Sequence, residues 1–166
     1  MKRLQTFHET LIPMLVWMSG AKSYLELGTY HNDTLAHVSC EKRYGVDINP
    51  IPLPIAGVEM FAMTTQEFIK RDAALLAPFD FVFIDADHSE AAVRADFFGI
   101  LDYVSPEGII CFHDSNPETL ADTDPGLCGT SWKFAELLHN DGYEAVTLPY
   151  HPGLTIVRNR MTWGPK

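Results

Sequence analysis

The stretch FDFVFIDAD, Phe79 to Asp87, decides the fold. It is apolar from Phe81 to Ile84, with Phe79 just before and only Asp80 interrupting. A strand that is apolar on both faces belongs in the middle of a sheet covered by helices. The next segment carries Val93, Phe97, Ile100, Leu101 and Val104 at i, i+4, i+7, i+8 and i+11, one face of a helix. GIICFHD then reads as another strand. A buried strand, a helix and a second strand together make one unit of a parallel sheet.

The same alternation extends in both directions. Upstream, SYLELG reads as strand one, with a short helix from about Asp33; RYGVDI is strand two and GVEMFAM strand three, followed by a helix through TQEFIKRDAALL. Leu4, Phe7, Leu11, Leu15 and Met18 recur at helical spacing, so residues 1–20 are expected to form an amphipathic helix, bent at Pro13. Downstream, a polar loop runs from Ser115 to Gly129, and SWKFAELLHNDG makes a helix stopped by Gly142. YEAVTLPY and GLTIVRN are separated only by His151 and Pro152, too few residues for a crossover, so they pair as an antiparallel hairpin. The expected fold is α/β: a three-layer, doubly wound Rossmann-like sheet of seven strands, mostly parallel, with an antiparallel C-terminal hairpin. Residues 1–166 are expected to form a single domain, with the core over 22–158.

Composition restricts the partners. The 166 residues carry a net charge of -10 with no basic run, which argues against a general affinity for nucleic acid. The longest apolar run falls short of a membrane span. His8, Glu9 and Pro13 break the apolar character of MKRLQTFHETLIPMLVWMSG, and no small-x-small cleavage site follows. Cys40, Cys111 and Cys128 are odd in number and scattered, which suits a reduced, cytoplasmic setting.

In an open parallel sheet, ligands bind beyond the carboxyl ends of the strands. Those ends carry Glu26, Gly28, Thr29 and Tyr30 after strand one, and Asp47 after strand two. Thr64 and Thr65 follow strand three; Asp85, Asp87 and His88 follow strand four; His113, Asp114, Ser115 and Asn116 follow strand five. Each has a bland alternative: a tight turn for Gly28, turn chemistry before Asn49-Pro50 for Asp47, helix capping for Asp85 and Asp87. Turns alone do not require carboxylates on successive strand tips. An acid about twenty residues beyond a glycine turn suits the two hydroxyls of a ribose. The run GTYHND lacks the later glycines that admit a pyrophosphate, and Asp33 would repel one. The turn therefore suits a nucleoside without phosphates, and Glu26 beside it prefers a cationic group such as an amine.

A ribose, an adenine and a cationic amino-acid tail describe S-adenosylmethionine, and here the chain resembles the class I methyltransferases. Glu26-Leu27-Gly28-Thr29-Tyr30-His31-Asn32 matches the family's E/D-x-G-x-x-x-G, with Asn32 for the second glycine. Over residues 22–158 it is most similar to the small O-methyltransferase-like group, methyltransferase family 24-like, through DADHSEAAVRAD and YVSPEGIICFHD. The resemblance implies that Glu26 binds the methionyl amine, that the backbone of Gly28, Thr29 and Tyr30 lies against the cofactor, and that Asp47 takes the ribose. It implies further that Ile48 packs on adenine, with Thr64 or Thr65 at its edge. In the catechol and caffeoyl-type relatives, acids after strands four and five hold a divalent metal. That implies Asp85, His113 and Asp114 around Mg²⁺, with Asp85 also at the cofactor. Asp85 and His88 are the candidate catalytic groups. His88 lies three residues beyond Asp85 at the same edge and can titrate near neutral pH, which suits a base. The alternative for it is a helix-start histidine that only hydrogen-bonds. His113-Asp114 replaces the family's Asp-Asn, and the helices that usually roof the acceptor pocket are short.

The implied reaction is O-methylation of a small-molecule acceptor by an enzyme that is a possible homo-oligomer. Two alternatives stand beside it. One is a non-catalytic S-adenosylmethionine- or nucleoside-binding or scaffolding protein of the same fold. The other is a metal-dependent hydrolase using Asp85, His88, His113 and Asp114, which leaves Glu26, Gly28 and Asp47 unexplained.

Overall fold

The computed structural model describes residues 6–159. Seven strands form one sheet in the order β3-β2-β1-β4-β5-β7-β6. They are β1 (Ser23–Leu27), β2 (Lys42–Asp47), β3 (Val58–Ala62), β4 (Phe79–Ile84), β5 (Val104–His113), β6 (Ala145–Leu148) and β7 (Leu154–Arg158). β1 to β5 run parallel, and β7 is inserted antiparallel between β5 and β6. The chain order reverses between β1 and β4, so the switch point, where a crevice opens in such sheets, lies between these two strand tips.

Side-chain alternation along the central strands divides the core. Leu25 and Leu27 of β1, Val82 and Ile84 of β4, and Ile110 and Phe112 of β5 face one layer. That layer is built from α2 (Thr65–Arg71), α3 (Ala73–Leu76), α4 (Glu90–Leu101) and α5 (Ser131–Asn140). Tyr24, Phe81, Phe83 and Cys111 face the opposite side, where Ile12 and Val16 of α1 (Phe7–Ser19) pack. Phe81, Val82 and Phe83 are fully buried, each contributing roughly 1.5–3 kcal/mol. Because side chains alternate with period two, Glu26 shares the α1 face with Tyr24, and His113 shares it with Cys111.

Four local expectations change. α1 buries Glu9, Ile12 and Val16, while Phe7 and Met18 are exposed. Glu9 is accommodated beside Ile12 and Val16 because its carboxylate accepts the Thr6 N–H at 2.9 Å, at the helix start. Leu4 lies outside the described residues, and Pro13 stands within the helix. The helix expected from Asp33 is a single 3-10 turn, Leu35–His37. The helix through TQEFIKRDAALL breaks at Asp72 into α2 and α3. Val104 opens β5 instead of extending α4, which ends at Leu101.

Candidate active site

The first crossover turn is held closed by two contacts. Gly28 has φ +90, and a Cβ there would lie 2.3 Å from the Asp85 carbonyl oxygen, so no other residue lets the β1 and β4 tips approach this closely. Tyr30 and Asn32 also adopt positive φ, at 43° and 62°, so Asn32 takes the left-handed conformation that its family glycine would. Asp47 reaches across from β2. Its Oδ2 accepts the Thr29 and Tyr30 N–H groups at 3.1 and 2.9 Å, and its Oδ1 accepts the Asn49 N–H at 2.9 Å. Asp47 is therefore both a turn organiser and a cavity wall. An ionised carboxylate keeps lone pairs beyond these bonds.

Two chambers adjoin at this edge. The larger, about 770 Å³, is lined by Asp47, Ile48, Thr64, Thr65, Asp85 and His88 among others. The smaller, about 520 Å³, is lined by Glu26, Thr29, His8, His113 and Asp114 among others. Gly28, Tyr30, Asp85 and His88 border both. Ile48 is exposed and available to an aromatic face. The Thr64 hydroxyl caps α2, accepting the Glu67 N–H at 3.2 Å, and the Thr65 hydroxyl donates to Asp96 at 2.7 Å. Both threonines thus offer surface to the larger chamber while their hydroxyls are committed to the fold.

Glu26 is 2% exposed and accepts a hydrogen bond from the Tyr24 hydroxyl. Burial raises its pKa to about 8, even though the Tyr24 bond favours the ionised form. A carboxyl held this way gains most from an approaching cation.

Across the shared wall, four side chains form a closed ring. His88 Nε2 lies 3.2 Å from Asp114 Oδ2, and His113 Nδ1 lies 3.4 Å from the same oxygen. His113 Nδ1 is 3.3 Å from Asp85 Oδ1, which is 3.9 Å from His88 Nε2. Burial alone would lower the His113 pKa, but the Asp85 and Asp114 carboxylates outweigh it and push it up to about 10. Burial opposes ionisation of Asp85, yet the neighbouring His113, His8 and His88 hold its pKa below the usual value. His113 Nε2 is buried without a hydrogen-bond partner among the described residues. His88 is held by the loop after β5: its Nδ1 bonds the Leu127 carbonyl, and its own carbonyl accepts the Thr130 and Ser131 N–H groups at 2.8 and 2.9 Å. Gly129, with φ +54, packs so close that a Cβ would lie 2.4 Å from that carbonyl. Asp87 accepts the Ser89 N–H at 2.8 Å and Ser89 caps α4, so Asp87 serves the helix start.

Two further participants carried no readable signal. His8 of α1 stands with its ring 4.0 Å from that of His113, and burial lowers its pKa. Tyr24, the partner of Glu26, reads in sequence as an ordinary core aromatic. His31 packs against Tyr30 in a tilted arrangement, 3.9 Å between ring centroids, and lines the smaller chamber.

Comparison with known proteins agrees with this fold. Residues 36–115 match the family described as Methyltransferase domain. Over that stretch, just under half of its length, the chain is similar to methyltransferase domains. Its fold is shared by an O-methyltransferase from Bacillus cereus in complex with SAH, at 20% identity and TM-score 0.68, over 95% of this chain and 83% of that one. It is shared too by the O-methyltransferase TomG from Streptomyces achromogenes in complex with SAM, at 16% identity and TM-score 0.66, over 95% and 82%. MycE, from the mycinamycin biosynthetic pathway, in complex with Mg, SAH and mycinamycin VI, matches at 21% identity and TM-score 0.70; this chain, covered to 98%, spans 53% of it. Comparison with curated proteins finds no match. No helix among the described residues is long and apolar enough to cross a membrane.

The donor set at the strand tips does not suit Mg²⁺. That ion takes oxygen ligands in a near-octahedral shell, whereas half of the ring here is imidazole nitrogen.

Proposed function

We propose that this methyltransferase-like chain transfers a methyl group from S-adenosylmethionine to a hydroxyl of a small-molecule acceptor. The observation that carries the proposal is the pair of adjoining chambers at the switch point, with Asp47 walling one, Glu26 the other, and Asp85 and His88 between them. The larger chamber has the size expected of a small-ligand site.

When bound, S-adenosylmethionine supplies a methyl group made electrophilic by the sulfonium. The chain's own residues then have three tasks. Asp47 accepts the ribose hydroxyls from a position fixed by the turn amides, while Ile48 offers an apolar face to the adenine and Thr64 and Thr65 bound its edge. Glu26 ionises against the amine. The backbone of Gly28, Thr29 and Tyr30 lets the cofactor lie close to the turn. The acceptor enters the wall shared by Asp85 and His88, where alignment supplies most of the rate. In the metal-free site, His88 takes the acceptor's proton on Nε2, since its Nδ1 is engaged with the Leu127 carbonyl. Methyl transfer also leaves a neutral thioether, so the negative charge of Asp85 and Asp114 favours the cofactor's charged form. The cytoplasmic setting belongs to this proposal; Cys40, Cys111 and Cys128 are free thiols.

Calorimetric titration with S-adenosylmethionine, followed by a methyl-transfer screen on hydroxylated acceptors, tests the reading. Binding that is lost in Asp47→Ala, with turnover on an acceptor, is expected. Binding without turnover on any acceptor favours a scaffolding protein, and a tightly held metal with no cofactor affinity favours a hydrolase.

A further inference from the structure

The ring at the tips of β4 and β5 has a chemistry that the cofactor does not use. His88 Nδ1 bonds a carbonyl, so that nitrogen carries its proton and, in the neutral ring, Nε2 presents a lone pair to Asp114 and Asp85. Both carboxylates also face His113 Nδ1. Four donor atoms from separate side chains thus form a ring in which Asp85 and Asp114 each face both imidazoles. Their successive separations are 3.2, 3.4, 3.3 and 3.9 Å. Neighbouring ligands on a metal with bonds of about 2.0–2.1 Å are roughly 3 Å apart, close to the three shorter of these separations. Asp85, His88 and Asp114 donors all lie within 4.8 Å of one another, as do those of His8, Asp85 and His113. His113 is 8% exposed; its Nδ1 faces the two carboxylates, and its Nε2 has no hydrogen-bond partner among the described residues.

We infer that Asp85, His88, His113 and Asp114 form a binding site for a divalent transition-metal ion that favours imidazole, such as Zn²⁺, in place of a Mg²⁺ site. Binding displaces the His113 proton; the two neutral imidazoles and two carboxylates then carry a net charge of −2, which the ion neutralises. Imidazole ligands select zinc and the later first-row ions, whereas Mg²⁺ gains little from nitrogen. The ring is assembled from the β4 tip, the β5 tip and the loop that locks His88, so it exists before any ion arrives. His8 brings a further imidazole from α1 to the same edge. In the loaded site His88 Nε2 is a ligand, and proton acceptance by that atom is confined to the metal-free protein.

The test uses full-length protein stripped with a chelator and contains no S-adenosylmethionine, so its failure is separate from failure of the methyltransferase reading. Co²⁺ is titrated while the visible ligand-field absorption is followed, and Zn²⁺ affinity is then measured by competition with a chromophoric chelator. The inference expects one equivalent of Co²⁺ with the strong bands of a low-coordinate site, displaced by one Zn²⁺ and retained in excess Mg²⁺. His88→Gln and His113→Asn should each weaken Zn²⁺ binding more than about tenfold. Asp47→Ala should bind Zn²⁺ as the parent does. Circular dichroism checks each fold; if His113→Asn unfolds, the better exposed His88 decides alone. Absence of stoichiometric Zn²⁺ binding, equal competition by Mg²⁺, or unchanged affinity in His88→Gln overturns the inference.

Discussion

The proposed contact between the buried Glu26 carboxyl and the cofactor's amine predicts that binding releases a proton. Burial raises the Glu26 pKa to about 8 in the ligand-free protein, so at pH 7 roughly 0.9 of the molecules carry the proton. An ammonium group against the carboxylate restores a low pKa, and binding at pH 7 should then expel roughly 0.9 proton from this side chain. Each pH unit below 8 should weaken the apparent affinity about tenfold, or about 1.4 kcal/mol. Above pH 8 the ligand's own α-amine loses its charge, so affinity should peak near pH 8. Titration calorimetry in buffers of different ionisation enthalpy counts the protons directly. Glu26→Gln should abolish the release and flatten the acid limb. If the parent binds tightly at pH 7 without releasing protons, or if Glu26→Gln releases as many, Glu26 does not ionise against the ligand and the reasoning fails.

Other outcomes follow from the same contacts. Gly28→Ala combines a positive φ with a Cβ 2.3 Å from backbone; we expect a loss of about 2 kcal/mol or more in urea unfolding, together with loss of cofactor binding. Asp47→Ala removes the acceptor of three turn N–H groups, so calorimetry should show cofactor affinity falling by more than about tenfold, with a stability cost of about 1–3 kcal/mol. Glu26 sets a stability slope in the ligand-free protein. The folded state holds its proton from the usual value of 4.5 up to about 8, while the unfolded state has released it. Stability should therefore be greatest at the acid end of that window and fall as pH rises through it, and Glu26→Gln should remove the slope in denaturant melts across pH. Thr64→Ala deletes the α2 cap and should cost about 1 kcal/mol in thermal unfolding while leaving cofactor affinity near the parent's, because its hydroxyl is already committed.

The smaller chamber shows how sequence and tertiary structure divide the site. The turn at Gly28, the acid at Asp47 and the acids after β4 and β5 were legible because each lies at a strand end, where local pattern and sheet topology give one answer. The inserted β7 was legible for a similar reason, since two residues cannot carry a parallel crossover. Thr64 and Thr65 line the larger chamber, but their hydroxyls are consumed by a helix cap and by Asp96. No spacing reveals which partner a hydroxyl will choose.

By itself the sequence determined the strand-helix order, the antiparallel end of the sheet and the row of strand-tip carboxylates, because periodicity and turn chemistry act over a few residues. The tertiary structure alone decided that Tyr24 would clamp Glu26, that the Leu127 carbonyl would fix the His88 ring, and that His8 would meet His113. These pairings depend on side-chain parity in the sheet and on which face α1 covers. Residues such as His8 and His113, one hundred and five positions apart, become neighbours only when the packed layers bring them together.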